Sequence, residues 1–189
     1  MDIVEFLQLS TGKWFSQRTS HHLAFRQSES GKSNILIDLL PATDPVVADL
    51  CQRYDVAPEL ALCGARVTWD GGMEWDKKQR SGSTVLVPIA DPDAANQGKL
   101  LHQIGHSDQA PVAGRYVIGN DEALALIVET DTLYIEERIW FASPNLRLRT
   151  SILKQVDGFS MASFCSEIRM GVTQAPPPAT QAAGSSVGS

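Results

Sequence analysis

The sequence predicts an all-β fold, a consecutive run of antiparallel strands forming a barrel or sandwich, with one short helix at the N-terminus and a second after the early strands. Three observations carry this expectation. Between Gly114 and Met170, the turn signals "GNDE", "TDT", "SPN" and "VDG" recur between strand-like segments at roughly ten-residue spacing. No strand alternates with a helix in the way a parallel sheet requires. The stretch "TGKWFSQRTS", Thr11 to Ser20, alternates in the manner of a strand, with Trp14, Ser16 and Arg18 on one face and Phe15, Gln17 and Thr19 on the other.

Taken in chain order, Asp2 to Leu9 reads as a short helix, with Ile3, Phe6 and Leu7 at helical spacing. Gly12 ends it, and a first strand follows to about Phe25. "ESGKSN" reads as a turn and "NILIDLLP" as a second strand stopped by Pro41. "TDPVVADLCQRYDV" reads as a helix capped by Thr43 or Asp44, with Pro45 in its first turn and an apolar stripe of Val46, Val47, Leu50 and Tyr54. "ALCGARVTWDGGMEWD" holds a strand with a glycine break at Gly71-Gly72, and "GSTVLVPIADPD" is a further strand with a proline-marked end.

The 189 residues, 43% of them hydrophobic, suit a single globular domain over residues 1–172. The low-complexity stretch "TQAPPPATQAAGSSVGS", residues 173–189, is expected to be a disordered tail. A net charge of −6 argues against nucleic-acid binding, which needs a basic surface. The start "MDIVEFLQLS" has acids where a signal peptide carries lysine or arginine, and no apolar run approaches the ~20 residues of a membrane span. Cys51, Cys63 and Cys165 form no close pair, so no disulfide framework is implied, and a cytoplasmic location is expected.

Several motifs carry no chemistry. "SGKSN" fails as a phosphate loop, because the glycine required five residues before Gly31 falls on Arg26. His21 and His22 lie on opposite faces of a strand with no nearby Cys/His cluster, so no metal site is expected. The cysteines lack a context for activation and read as buried thiols.

The hairpin around "IWFASPNLRLRT" is more informative. If Phe141 pairs with Leu146, one face holds Tyr134, Glu136, Arg138, Trp140, Arg147, Arg149, Ser151 and Leu153. The other holds Ile135, Ile139, Phe141, Leu146, Leu148 and Ile152, with Glu137 and Thr150 as exceptions. Periodicity alone favours the polar face outside. The competing reading puts Glu136, Arg147 and Arg149 in a ligand cavity and packs the aliphatic face under the helices or a partner subunit. Trp69 and Trp75 in "VTWDGGMEW" are core or interface aromatics, or the flat walls of a site for a conjugated ring.

The N-terminal helix, the Gly-x-Trp strand and the strand run together resemble the lipocalin-like (calycin) antiparallel β-barrels, which hold one small ligand. More specifically, "GKWFSQRTSHH", "ARVTWDGGMEWD", "GSTVLVPIADPD", "GKLLHQIGH", "APVAGRYVIG", "EERIWFASPNLRLRTSILK" and "GFSMASFCSEIRMGV" resemble the S-type phycobiliprotein lyases. These lipocalin-like proteins of cyanobacteria and related plastids attach linear tetrapyrrole bilins to phycobiliproteins. The resemblance runs from Met1 to about Val172.

It implies an enzyme that takes phycocyanobilin or a related bilin as substrate, with no cofactor. The acceptor is a cysteine of an apo-phycobiliprotein subunit of the phycocyanin, allophycocyanin or phycoerythrin class, so the nucleophile belongs to the partner. It further implies a homodimer or a heterodimer with a related lyase subunit. Arg18, Arg147 and Arg149 would meet the propionates, Glu136 the protonated pyrrole nitrogens, and Trp69 and Trp75 the ring system. Trp14 would face the interior beside Arg18, and His21, Tyr134 and Trp140 would complete the ligand-binding set, with Arg18, Glu136 and Arg149 carrying catalysis. A carrier of a bilin or another small hydrophobe, without transfer activity, is the alternative.

Overall fold

The computed structural model describes residues 1–73, 80–103 and 112–171. Ten strands form a closed antiparallel barrel: β1 (Gly12–His22), β2 (Gln27–Leu40), β3 (Gly64–Met73), β4 (Arg80–Asp91), β5 (Ala94–His102), β6 (Gly114–Ile118), β7 (Leu124–Glu129), β8 (Leu133–Ser143), β9 (Leu146–Gln155) and β10 (Ser160–Arg169). Each strand pairs with its neighbours in sequence, and β1 pairs with β10 to close the ring. Closure leaves no edge strand among the described residues to template aggregation. Helix α1 (Ile3–Ser10) precedes β1, and α2 (Pro45–Arg53) lies between β2 and β3. The tail expected over residues 173–189 lies outside the described residues.

The four meander turns fall where turn chemistry puts them, each between consecutive strands from β6 to β10. Two other expectations need correction. "ESGKSN" is not a turn: it lies within β2, and the chain reverses at residues 23–26, where Arg26 takes φ 51°. Its polar residues mimic a turn because Glu29, Gly31 and Ser33 share the inward side with the polar end of the cavity. Gly71-Gly72 does not break β3 either. A Cβ at Gly71 would stand 2.4 Å from the Lys32 carbonyl oxygen, so glycine there permits a close strand approach.

Helix α1 closes one end of the barrel. Asp2 and Glu5 make a reciprocal capping box at its start. Ile3, Phe6 and Leu7 pack on Ala65, Tyr116, Ile118, Leu124 and Ile139 from the surrounding strands. The C-terminus of α1 is tied to the wall by two side chains. The Trp14 indole N–H donates to the Ser10 carbonyl at 2.9 Å, and Arg169 donates to the carbonyls of Leu9 and Thr11 at 2.5 and 2.6 Å. Carbonyls left without helical partners are thereby satisfied, with a cation at the negative end of the helix. Helix α2, capped by Asp44, instead covers the outside of the wall, burying Val47, Leu50 and Cys51 against Leu40, Val85, Val87 and Leu101.

All three cysteines are buried and free. Burial, reinforced by Asp2, pushes the Cys63 thiol up to about 11, and burial with Glu59 nearby raises that of Cys51. The thiolate is the reactive form, and burial denies reagents access to all three. At about pH 8 the native protein is therefore expected to resist iodoacetamide at all three cysteines, while the urea-unfolded chain is fully alkylated. Intact mass reads this directly, and rapid labelling of the native protein would contradict it.

Candidate functional site

Above α1 the barrel interior opens into a cavity of about 350 Å³. One side is apolar, formed by Ile35, Val67, Leu86 and Leu126 with the Trp69 indole, and the other is charged, formed by Arg18, Glu137, Arg147 and Arg149. A second hollow of about 500 Å³ shares Arg18, Ser33, Trp69 and Arg149 with the first and continues past Glu29 and Gly71. These sizes fall within the ~300–1,000 Å³ of small-molecule sites. Trp69 keeps its place because it pairs with Gly82: a Cβ there would stand 2.4 Å from the indole Cζ2.

The charged wall is organised around Glu167, which is fully buried on β10. Its Oε2 accepts from both Nε and Nη2 of Arg147 at 2.6 Å, and its Oε1 stands 3.2 Å from Nη2 of Arg149. The Ser16 hydroxyl donates to the same Oε1 at 3.5 Å. Arg149 also reaches outward, its Nη1 3.7 Å from Oε1 of Glu137 and its Nη2 3.7 Å from the Cys165 sulfur. Burial holds the Arg147 guanidinium below its ordinary value, and Glu167 offsets only part of that shift. On Arg149 burial acts in the same downward direction, but Glu137 and Glu167 outweigh it and hold the group above its ordinary value. Both arginines remain cations, and a carboxylate with paired arginines satisfies the rule that buried charge is partnered.

Of the residues expected at the site, Arg18, Trp69, Arg147 and Arg149 line the cavity. Trp14 does face the interior, yet it lies below the cavity as packing. It is fully buried on Ile35, Ile37 and Phe141, with the Arg147 and Arg169 guanidiniums 4.8 and 4.2 Å from its ring centre. The pairing of a large aromatic and an arginine on one strand face thus serves two levels, Trp14 for the plug and Arg18 for the cavity. Trp75 lies outside the described residues.

Four placements are corrected. His21 is exposed on the outer face of β1, because even-numbered positions of that strand point inward. The inward histidine is His22, whose Nε2 stands 3.5 Å from Glu29 and whose ring meets Phe159 edge-on. Tyr134, Glu136 and Trp140 lie on the outer face of β8. The expected register paired Phe141 with Leu146, but Phe141 pairs with Arg147 and Ser143 with Leu146, the shift falling between Phe141 and Ser143. One extra residue in the hairpin reverses every side chain of β8 relative to β9. Glu137, Ile139 and Phe141 therefore share the inside with Arg147 and Arg149. Outside, the Tyr134 hydroxyl donates to Glu136, and the Lys154 ammonium lies 5.9 Å from the Tyr134 ring centre.

Sequence reasoning missed Glu137 as a cavity residue and Glu167 altogether. The signal for Glu167 was present in "SFCSEIR", where Cys165, Glu167 and Arg169 alternate with the exposed Phe164 and Ile168. Read against the arginines of β9, that alternation puts an acid inside.

A family model described as CpeS-like protein matches residues 2–170. The chain belongs to the CpeS-like family. Among curated relatives, the "Chromophore lyase CpcS/CpeS" of Thermosynechococcus vestitus is 64% identical over 174 residues, covering 92% of this chain and 96% of the relative. The "Phycocyanobilin lyase subunit CpcS" of Picosynechococcus is 45% identical over 184 residues, covering 96% and 92%. The solved S-type phycobiliprotein lyase CPES from Guillardia theta superposes with a TM-score of 0.82 at 36% identity, covering 92% of this chain and 95% of that one. The lipocalin-like barrel expected from the sequence is the fold observed. Among the described residues no helix is long and apolar enough to cross a membrane.

Proposed function

We propose that this chain is a phycobiliprotein lyase: it binds a linear tetrapyrrole in the barrel cavity and joins it to a cysteine of a phycobiliprotein subunit. The observation that carries the reading is family membership over residues 2–170 together with a cavity that combines guanidiniums, a carboxylate and an indole wall. Phycocyanobilin is the bilin proposed, in keeping with the name of the Picosynechococcus relative.

The residues suit the ligand group by group. Propionate carboxylates call for arginine, which binds them bidentately and stays charged when partly desolvated, and Arg18 and Arg149 offer this. The conjugated rings call for a flat wall, and Trp69 supplies one. Protonated pyrrole nitrogens call for a carboxylate, and the inward acid is Glu137 in place of Glu136. Arg147 is committed to Glu167, the carboxylate that also holds Arg149. The charged wall also argues against a plain carrier of neutral hydrophobes, which asks for an aliphatic lining.

In the reaction, the acceptor thiol adds across the exocyclic double bond of ring A. A sulfur–carbon bond forms, the thiol proton passes to the tetrapyrrole, and no group leaves, so neither a cofactor nor a lyase cysteine is needed. The protein's part is to hold the bilin extended in one orientation and to stabilise charge on the protonated rings. The reaction takes place in the cytoplasm, with the lyase acting as a homodimer or with a related subunit. The outward apolar side chains of Ile152, Phe164 and Ile168 offer such a subunit a surface.

Mixing the purified protein with phycocyanobilin tests the binding half: the visible band should strengthen and shift to the red. Adding apo-phycobiliprotein should then give a coloured product that survives denaturation. Binding without transfer would leave a carrier, and no spectral change would overturn the reading.

A further inference from the structure

Arg149 is held unequally at its two ends. At one end Nη2 meets Glu167 at 3.2 Å, and that carboxylate is 0% exposed and also bound by Arg147. At the other end Nη1 meets Glu137 at 3.7 Å, beyond good hydrogen-bond range, with the side chains 27% and 33% exposed. The first contact is locked by burial, whereas the second is loose, open to the cavity and easily exchanged. Glu137 is also an odd residue in its place. It lies on the inward stripe of β8 beside Ile139, and its partners across the sheet are Leu126 on β7 and Ser151 on β9. The Ser151 hydroxyl is engaged with that of Ser163 at 2.6 Å, and among the described residues Glu137 is ion-paired with Arg149.

We infer that Glu137 is a displaceable internal carboxylate that occupies the outer end of Arg149 in the empty cavity and yields it to a carboxylate of the ligand. Once displaced, Glu137 accepts from the N–H groups of the same ligand. The exchange conserves charge in the cavity, since one carboxylate replaces another on Arg149 while the freed one meets a protonated ring system. It also sets specificity. A ligand with a carboxylate but no N–H donors, such as a fatty acid, would displace Glu137 and, by filling the cavity, exclude the water that could solvate it, leaving its charge beside Ile139 and Leu126. A neutral ligand would leave Glu137 on Arg149. The site therefore favours molecules that carry both groups, as a bilin does.

The inference rests on the tetrapyrrole reading, and its test separates the two. Dissociation constants are measured by absorbance titration for phycocyanobilin and for its dimethyl ester, and their ratio reports how much the carboxylates contribute. In the native protein Glu137 competes with them and holds the ratio down. Glu137→Gln removes the competitor, so the ratio of ester to acid should rise about three- to tenfold, the scale of a half-exposed ion pair. The bound diacid should absorb further to the blue, since the rings lose their counter-charge. Glu136→Gln, on the outer face, should change neither. Should Glu137→Gln fold poorly, Glu137→Asp draws the charge back from Arg149 by one methylene and must raise the ratio in the same direction. An unchanged or lowered ratio overturns the exchange. Failure of the native protein to bind either compound overturns the tetrapyrrole reading itself.

Discussion

Replacing Glu167 with alanine is expected to destabilise the protein by about 3–5 kcal/mol, the range for a buried ion pair that loses one partner. Glu167 is fully buried, and its loss leaves the Arg147 guanidinium enclosed without a counter-charge beside Arg149 and Arg169. Water cannot replace the carboxylate cheaply, because Arg147 is itself buried and stacked near Trp14. For a domain of this size each kcal/mol is worth roughly 2–4 °C of melting temperature, so the drop should be about 6–20 °C. Thermal melts followed by far-ultraviolet circular dichroism measure it. A companion variant separates the pair from the packing: Glu167→Leu combined with Arg147→Met removes both charges and should recover much of the loss. An Glu167→Ala protein that melts with the native one would show that the carboxylate is not the counter-charge of this wall.

That buried wall marks the boundary of what the sequence made legible. The turns from β6 to β10 were readable because turn chemistry is local, four residues at a time, and each one sits where "GNDE", "TDT", "SPN" and "VDG" place it. Helix α1 was readable for the same reason, its cap and its apolar residues lying within one short stretch. Of the side chains the resemblance implies, Arg18, Trp69, Arg147 and Arg149 line the cavity. Register was another matter. It depends on a single extra residue near Ala142, which no pattern of alternation on either strand reveals, and that residue exchanges Glu136 for Glu137 inside the barrel. Trp14 shows a second limit: whether an inward tryptophan walls a cavity or plugs its floor depends on where the end of α1 lands, and its indole is spent on the Ser10 carbonyl. Gly71 shows a third, since a strand glycine that allows close approach looks in sequence like a turn residue.

Replacing Arg149 with alanine is expected to leave the fold intact and to weaken bilin binding about ten- to a hundredfold. The fold persists because Glu167 keeps its two contacts with Arg147, so no buried charge is orphaned, and Glu137 is exposed enough for water to solvate it. Binding suffers because Arg149 lines both hollows of the interior and, in the function proposed, meets a ligand carboxylate at its outer end. A lost charge-assisted hydrogen bond costs about 1.5–3 kcal/mol, which converts to that range of affinity. The guanidinium stays protonated throughout the accessible pH range, held above its ordinary value by Glu137 and Glu167, so raising the pH to about 9 should not imitate the substitution. Transfer to the acceptor subunit should fall further than affinity alone explains, because a bilin held at one propionate in place of two samples orientations that keep ring A from the thiol. Arg149→Lys restores the charge without the planar fork and should recover affinity more than transfer. Absorbance titration and the yield of denaturation-resistant coloured product, measured on the same preparations, read the two effects apart. An Arg149→Ala protein that titrates like the native one would move the carboxylate site elsewhere in the barrel, to the neighbourhood of Arg18 and Lys32 in the second hollow.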